Sequence, residues 1–469
     1  MPGIASYGAY IPQTRLPLSL ASGRPAKEGG PERAVANYDE DAVTMAVAAA
    51  VDCMAGFERA SIDALLFAST SYPLREKQGA ALIAKALDLR RDVATSDHAG
   101  SLRAGTAALA SGLHAVAAGE ARNALVVVGD SRLGPPRSAL EARLGDGAVA
   151  FLISERDVIA SFATSHSIAD ELQDQWRSEG ETFTHSWEDR FVVQEGYTPN
   201  LCAAVVGLLE KAGIQASDVS RAALYAHDAR SLGAVARQLG LASEQLQDPL
   251  LGKLGNTGSA YALMLLAHAL ESAKPGERLL TASYGDGAHA LLFQVEDPIE
   301  KLEPRRAISW HLARRRALTS YDAYLKARDL DAREWEGEGD LGLSATIRFR
   351  ERDADIAMLG GRCQGCAQIH FPEPRVCYKC FRKDAWEPVR LSDKSGTLLA
   401  YTFDYFFPAS EPPTIMIMTE VEGCRVHVQL ANARPEEVRL DMPVEYVFRI
   451  IHRAGGKPNY FWKASPLSR

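Results

Sequence analysis

Leu144–Ser154 reads LGDGAVAFLIS, and Tyr284–Val295 answers it with YGDGAHALLFQV. Each copy follows an apolar, strand-like run and places Gly where a tight turn between two strands needs positive φ or close backbone approach. The same phrase in the same flanking context reads as a half-domain used twice. Around it, the first 297 residues alternate short β-branched runs with Ala/Leu-rich runs, the pattern of an α/β layered domain. IDALLFAS (62–69), NALVVVGD (123–130), AVAFLIS (148–154), AALYAHD (222–228) and ALLFQV (290–295) read as buried strands. DAVTMAVAAAVDCM, AGTAALASGLHAVAAG, TPNLCAAVVGLLEKAG and SAYALMLLAHALESA read as helices packed on them.

Length and charge set the frame. A chain of 469 residues is too long for one core. Hydrophobic residues at 46% and charged residues at 24% give an ordinary globular balance, and a net charge of −8 provides no general attraction to nucleic acid. No window reaches the apolar length of a membrane span, and the opening MPGIASYGAYIP has no signal-peptide pattern, so a cytoplasmic protein is expected. After Val295 a charged stretch poor in strand pattern reads as a connector, with the run Arg314–Arg316 as a solvated helix face.

The tail carries the most specific motif. Cys363-Gln-Gly-Cys366, ten intervening residues and Cys377-Tyr-Lys-Cys380 make two knuckles, which together offer the sulfur cage that Zn²⁺ prefers. A closed four-sulfur site is structural, since it leaves no position for water or substrate; sulfur ligands also admit iron. Cys53, Cys202 and Cys424 stand alone and read as buried structural thiols. Beyond the knuckles, GTLLAYTFDYF, PTIMIMTEVEG, CRVHVQLA and MPVEYVFRII are β-rich runs suggesting a small barrel. RCQGCAQIHFPEPRVCYKC with this tail resembles the zinc-ribbon plus OB-fold domain that accompanies thiolase-superfamily enzymes. The resemblance implies a domain that docks on a thiolase-like partner and helps shape an acyl-CoA site. OB barrels also bind single-stranded nucleic acid, a reading the acidic balance disfavours.

Residues 3–297 resemble the thiolase superfamily, in the branch of 3-hydroxy-3-methylglutaryl-CoA synthase and ketosynthase III. GIASYGAYIPQTRL, NYDEDAVTMAVAAA and the twin GDGA phrases carry the likeness. The expected fold class is α/β, a duplicated thiolase-like layered fold (αβαβα) followed by a small zinc ribbon and an OB-fold β-barrel. The expected domains are 1–297, a charged helical connector at 298–345, the zinc ribbon at 346–390 and the OB-fold at 391–469.

The resemblance also implies a catalytic set. Family members acylate a Cys at a helix entrance, where the macrodipole stabilises a thiolate, and hold thioester carbonyls with a His and an Asn; the synthase adds a Glu base. His227 in ALYAHDARSL and Asn256 in LGNTGSAYAL match the last two, with Gly287 and Ser101 placed beside the substrate. The Cys and Glu do not match. DHAGSLRAGTAAL (97–109) puts Leu102 at the thiol position, and ASTSYP puts Thr70 at the acid. Three readings stay open. Ser101 could serve one position early; an aldol or retro-aldol step could use His227, Asn256 and backbone amides near Gly287 without acylation, helped by Tyr72, Tyr197 or Tyr225; or the chain is a non-catalytic scaffold or CoA-binding subunit. The expected ligands are coenzyme A thioesters and a structural Zn, and the expected assembly is a homodimer, with a separate thiolase as candidate partner, no nucleic acid and no membrane.

Overall fold

The apolar runs become the strands of one large sheet: β1 (Gly3–Tyr10), β2 (Ala64–Ala68), β3 (Ala94–His98), β4 (Asn123–Asp130), β5 (Gly147–Ser154), β6 (Ala160–Ala169), β7 (Arg221–Leu224), β8 (Arg278–Tyr284) and β9 (Gly287–Val295). Their order is β7-β8-β9-β6-β1-β5-β4-β2-β3 in a computed structural model that describes residues 1–331, 344–406, 412–455 and 457–467. Read outward from the β1–β6 contact, the two sides repeat. β5 and β9 pair antiparallel with β4 and β8, which in turn run parallel to β2 and β7. The counterpart of β3 in the second half is reduced to a single bridge, Ala222↔Leu246. The twin GDGA phrases therefore sit at equivalent β4–β5 and β8–β9 connections, as an internal duplication requires.

Helix patterning explains the layers. α1 (Ala42–Cys53) starts at a capping box between Asp41 and Thr44 and packs on β1 and β5, while α4 (Thr198–Ala212) packs on β6 and β9. Between the two half-sheets lie α3 (Ala104–Ala117) and α6 (Tyr261–Leu270), each touching strands of both halves. Nine of the ten α6 residues are buried, the expected fate of a helix that is apolar all round. The order helix, sheet, helices, sheet, helix is the expected αβαβα layering.

Contacts divide the chain into one unit of Met1–Asn37, Asp41–Ala84 and Leu89–Tyr324 and a second of Tyr38–Glu40, Lys85–Asp88 and Leu325–Arg469. The first unit thus runs past 297 into the stretch read as connector. His311 is buried there with Nε2 3.0 Å from the Ala9 carbonyl, and Arg316–Ala317 pairs with Thr14–Arg15. The arginine run is not a helix face: the helix ends at Ala313, and Arg315 pairs with Glu32 at 2.7 Å. Positions 332–343 of the expected connector lie outside the described residues. Among the described residues no helix is long and apolar enough to cross a membrane.

The second unit contains a three-stranded sheet of β10 (Leu359–Cys363), β11 (Ile369–His370) and β12 (Trp386–Arg390). Its larger sheet has β13 (Gly396–Asp404), β14 (Thr414–Val421), β15 (Cys424–Gln429), β16 (Pro443–Ala454) and β17 (Lys457–Pro466) in the order β15-β14-β13-β16-β17. A parallel bridge, Leu430↔Ala464, ties the end of β15 back to β17. Burial alternates along β14 and β15, the two-residue period of strands with one face inward. This arrangement is compatible with an OB-like barrel.

Candidate active site

The turn from β3 into α3 is the elbow read from the sequence. Gly100 takes a positive φ of 82°, and α3 begins at Ala104. Asp97 serves structure, accepting from the backbone N–H groups of Gly79 (2.6 Å) and Ala80 (2.8 Å) at the start of the helix Gly79–Ala86. Leu102 is only 8% exposed and belongs to the hydrophobic core. A Cβ on Gly285 would lie 2.9 Å from Leu102 Cβ, so the β8–β9 turn closes directly over the elbow. Ser101 Oγ donates to the Gly285 carbonyl at 3.3 Å. The glycine against the elbow is therefore Gly285, while Gly287 (φ +100°) packs on the Ile168 carbonyl, where a Cβ would approach to 2.1 Å.

The second half supplies the polar side. Asn256 precedes α6, and α3 approaches its turn so closely that a Cβ on Gly105 would meet the Ser259 carbonyl at 2.2 Å. Asn256 Oδ1 accepts from Gly258 N (3.0 Å) and from Arg132 Nη2 (3.1 Å). Two donors on one oxygen fix the amide's orientation, and of its two N–H groups one donates to Tyr225. His227 follows β7 two residues after Tyr225, with Nε2 2.8 Å from Arg143 Nη1. Arg143 touches both predicted residues, because its carbonyl also accepts from Asn256 N at 2.8 Å. Arg143 thus meets His227 with its guanidinium and Asn256 with its backbone carbonyl.

That contact sets the protonation of His227. A guanidinium only donates, so Nε2 accepts and the neutral ring carries its proton on Nδ1. Burial, then the Arg143 charge, hold the imidazole below its ordinary pKa, against the opposing pull of Asp189 with Oδ1 3.7 Å away. His227 is consequently suited to donate from Nδ1 rather than to act as a base at Nε2, which narrows the role read from the sequence. Tyr197 and Tyr225 pack with Tyr261 and Tyr284 around this pair, at ring separations of 5.5–6.1 Å, while Tyr72 packs instead on Phe67.

Four groups here escape sequence reasoning: Asp130, Arg132, Arg143 and Asp174. Asp130 ends β4 fully buried and accepts six hydrogen bonds, from Ser69 Oγ, Thr70 N and Oγ1, Ser71 Oγ, and Ser259 N and Oγ, at 2.7–3.0 Å. Thr70, at the expected acid position, is therefore a donor to this carboxylate. Asp174 is buried, accepts from Gln175 N and hydrogen bonds to Tyr284, and burial raises its pKa. Its neighbour Gln175 accepts from Arg132 Nη1 at 3.0 Å. The sequence signal for Asp130 and Arg132 was charge at the end of an apolar strand, in VVVGDSR; Arg143 and Asp174 had none.

In the second unit the four cysteine Sγ atoms lie within 4.8 Å of one another, with Cys363–Cys380 at 3.5 Å and Cys366–Cys377 at 3.6 Å. Tetrahedral Zn–S bonds of about 2.3 Å separate sulfurs by about 3.8 Å, so the donor set fits a metal ion. The knuckles are matching turns: the residues after them, Ala367 and Phe381, both take positive φ, and each donates to the carbonyl of its knuckle's first Cys at 2.8 Å. His370 Nε2 lies 3.3 Å from Cys377 Sγ, placed to support that sulfur.

Comparison with known proteins agrees with this architecture. The family model for the carboxyl-terminal part of 3-oxoacyl-[acyl-carrier-protein] synthase III matches residues 209–294. The hydroxymethylglutaryl-CoA synthase of Archaeoglobus fulgidus is 33% identical over 341 residues, covering 70% of this chain and 98% of its own length. This chain belongs to the hydroxymethylglutaryl-CoA synthase family. The synthase of Pyrococcus furiosus is 31% identical over 338 residues, covering 70% of this chain and 95% of its own. Among solved structures, an HMG-CoA synthase complexed with CoA superposes with a TM-score of 0.63 at 16% identity, over 73% of this chain and 94% of that one. The synthase III of Thermus thermophilus gives 0.55 at 20% identity, over 62% and 98%. At these identities the structural likeness speaks for the thiolase-like fold alone.

Proposed function

We propose that this chain binds acyl-CoA thioesters in its first unit and makes or breaks a carbon–carbon bond of the Claisen or aldol type without an acyl-enzyme. The observation that supports this reading is that Arg132 holds the Asn256 amide oxygen and Arg143 holds His227 Nε2, while Leu102 fills the thiol position of the elbow. In the cleavage direction a proton leaves the β-hydroxyl of a 3-hydroxyacyl-CoA and the Cα–Cβ bond breaks. Its electron pair becomes the thioester enolate, and a proton returns to Cα as a ketone or aldehyde departs. The Asn256 amide and His227 Nδ1–H stabilise the enolate oxygen, and Asp174, as the carboxylate, takes the hydroxyl proton and returns it to Cα. Ser101 is not the nucleophile in this reading, because its hydroxyl is committed to the Gly285 carbonyl.

Leu102, packed as core, also favours a second reading: a non-catalytic scaffold or CoA-binding subunit of a complex with a separate thiolase. A panel of acyl-CoAs, assayed with and without a thiolase, separates the two. Catalysis predicts that His227→Ala lowers turnover at least about tenfold with folding intact. The scaffold predicts that no acyl-CoA is changed by the chain alone and that His227→Ala leaves the complex's turnover untouched.

We further assign the cysteine cluster a structural Zn²⁺. Metal analysis should find about one Zn per chain, and an iron signal would reverse the assignment. The exposed outer edge of β3 supports a homodimer, which light scattering would detect as a doubled mass.

A further inference from the structure

The residues of the candidate site are sealed in. Asn256, His227, Arg132 and Asp174 are each only 5–8% exposed, so a thioester reaches them only if a covering segment moves. The stretch 173–191 touches both arginines of the site, and little apolar packing holds it. Of its residues only Asp174 and Thr184 are buried, while Trp187 and Phe191 stand 53% and 49% exposed. Besides the three-residue helix Asp189–Phe191, its regular structure is one pair of two-residue strands, Gln175–Trp176 against His185–Ser186. Segments with so few buried contacts open locally at a fraction of the global unfolding free energy.

Polar contacts tie the stretch down. Thr184 N donates to the Leu133 carbonyl at 2.7 Å, Arg177 Nη2 donates to the Thr70 carbonyl at 3.3 Å, and Glu179 pairs with Arg75 at 2.8 Å. Two further contacts reach the site itself. Gln175 Oε1 accepts from Arg132 Nη1 at 3.0 Å, and Asp189 Oδ1 accepts from Arg143 Nη2 at 2.9 Å. The same two arginines hold Asn256 Oδ1 and His227 Nε2.

The two ends of the stretch converge on a neck. Gly196 is wedged between Leu172 Cδ2 and the Tyr284 hydroxyl, with no room for a Cβ, so the entering and leaving chains meet there. The leaving end is a π-helical turn, Val192–Tyr197, in which Thr198 N reaches back five residues to the Val193 carbonyl before α4 takes over. Such turns are rare and are found frequently at functional sites. Just before the neck, Asp170 Oδ2 accepts from Asn200 Nδ2 of α4 at 2.6 Å, which fixes the entering end.

We propose that 173–191 is a lid that swings about the Leu172–Gly196 neck to admit the thioester and, on closing, orients Asn256 and His227 through Gln175 and Asp189. The inference rests on the acyl-CoA reading above. Gln175 and Asp189 are positioning residues, each holding the arginine that holds a donor. Closure also shields the enolate from water.

Hydrogen–deuterium exchange of the whole chain, with and without 3-hydroxybutyryl-CoA, reads the motion. Without ligand the amides of 175–191 should exchange at least about a hundredfold faster than those in the middle of α4, and the thioester should slow them at least about tenfold. A Leu133→Cys/Thr184→Cys chain tests the gate directly, since residues joined by a backbone hydrogen bond lie within the span of a disulfide. Oxidised, it should take up 3-hydroxybutyryl-CoA at least about tenfold more slowly than the native chain treated identically, and reduction should restore the rate. Gln175→Ala should lower kcat more than it raises KM for the acyl-CoA that the native chain turns over, with circular dichroism unchanged; an unchanged kcat overturns its positioning role. Exchange in 175–191 as slow as in α4, or an oxidised chain that takes up the thioester at the native rate, overturns the lid while the acyl-CoA reading stands. If no disulfide forms, the exchange comparison decides alone. Failure of free CoA and of 3-hydroxybutyryl-CoA to bind the native chain overturns that reading and the lid together.

Discussion

The two halves of the layered unit deliver their central helices through equivalent turns made in opposite ways. In the first half, β3 is a complete strand and its turn presents Leu102, held by core packing and by a bond from Ser283 Oγ to its carbonyl. In the second, the matching strand shrinks to one bridge and its turn presents Asn256, whose side chain is pinned by Gly258 N and Arg132. Packing tolerates a change of chemistry if shape is kept, whereas a saturated polar network constrains every member. The first turn has become apolar filling while the second keeps its donors, and that is why a reaction without acylation is the reading the site supports.

Two glycines probe the contrast most strongly. Gly100 and Gly258 both take positive φ in their respective turns, but a Cβ on Gly100 meets open space and one on Gly258 meets Asp130 and Arg132. Gly258→Ala should cost about 3 kcal/mol or more, combining left-handed strain with overpacking, and Gly100→Ala about 1 kcal/mol from strain alone. Urea unfolding midpoints with unchanged m-values check the pair. Equal costs would mean that the second turn is no more constrained than the first.

A smaller effect comes from the repeated phrase itself, where His289 stands at the position of Val149. Burial, reinforced by the Arg103 charge, lowers the His289 pKa to about 4. The unfolded chain then takes the proton first, so His289 costs nothing well above its ordinary value near 6.5 and destabilises the fold as pH falls below it. At pH 5.5 the loss relative to neutral pH is about 1.2 kcal/mol. His289→Val should remove that share of the pH dependence, and an unchanged slope would show that this histidine is protonated in the fold.

Sequence legibility followed the range of the forces involved. β4 and α3 were readable because local periodicity sets them, and Cys363 to Cys380 because ligand spacing is short. His227 and Asn256 were legible as a strand end and a Gly-flanked helix entrance. Arg132 and Arg143 were not, since their partners lie 124 and 84 residues away and nothing in local pattern encodes such contacts. The boundary at 297 moved to Tyr324 for the same reason: His311 and Arg316 belong to the first unit through contacts with its opening residues.

The central claim is that acyl-CoA chemistry proceeds at this elbow without a covalent intermediate. Incubating the native chain with the labelled acyl-CoA that it turns over, then weighing the intact protein, tests this most directly. The account predicts product in solution and a protein mass unchanged at every time point. Label retained on the chain, at Ser101 or any cysteine, would contradict it.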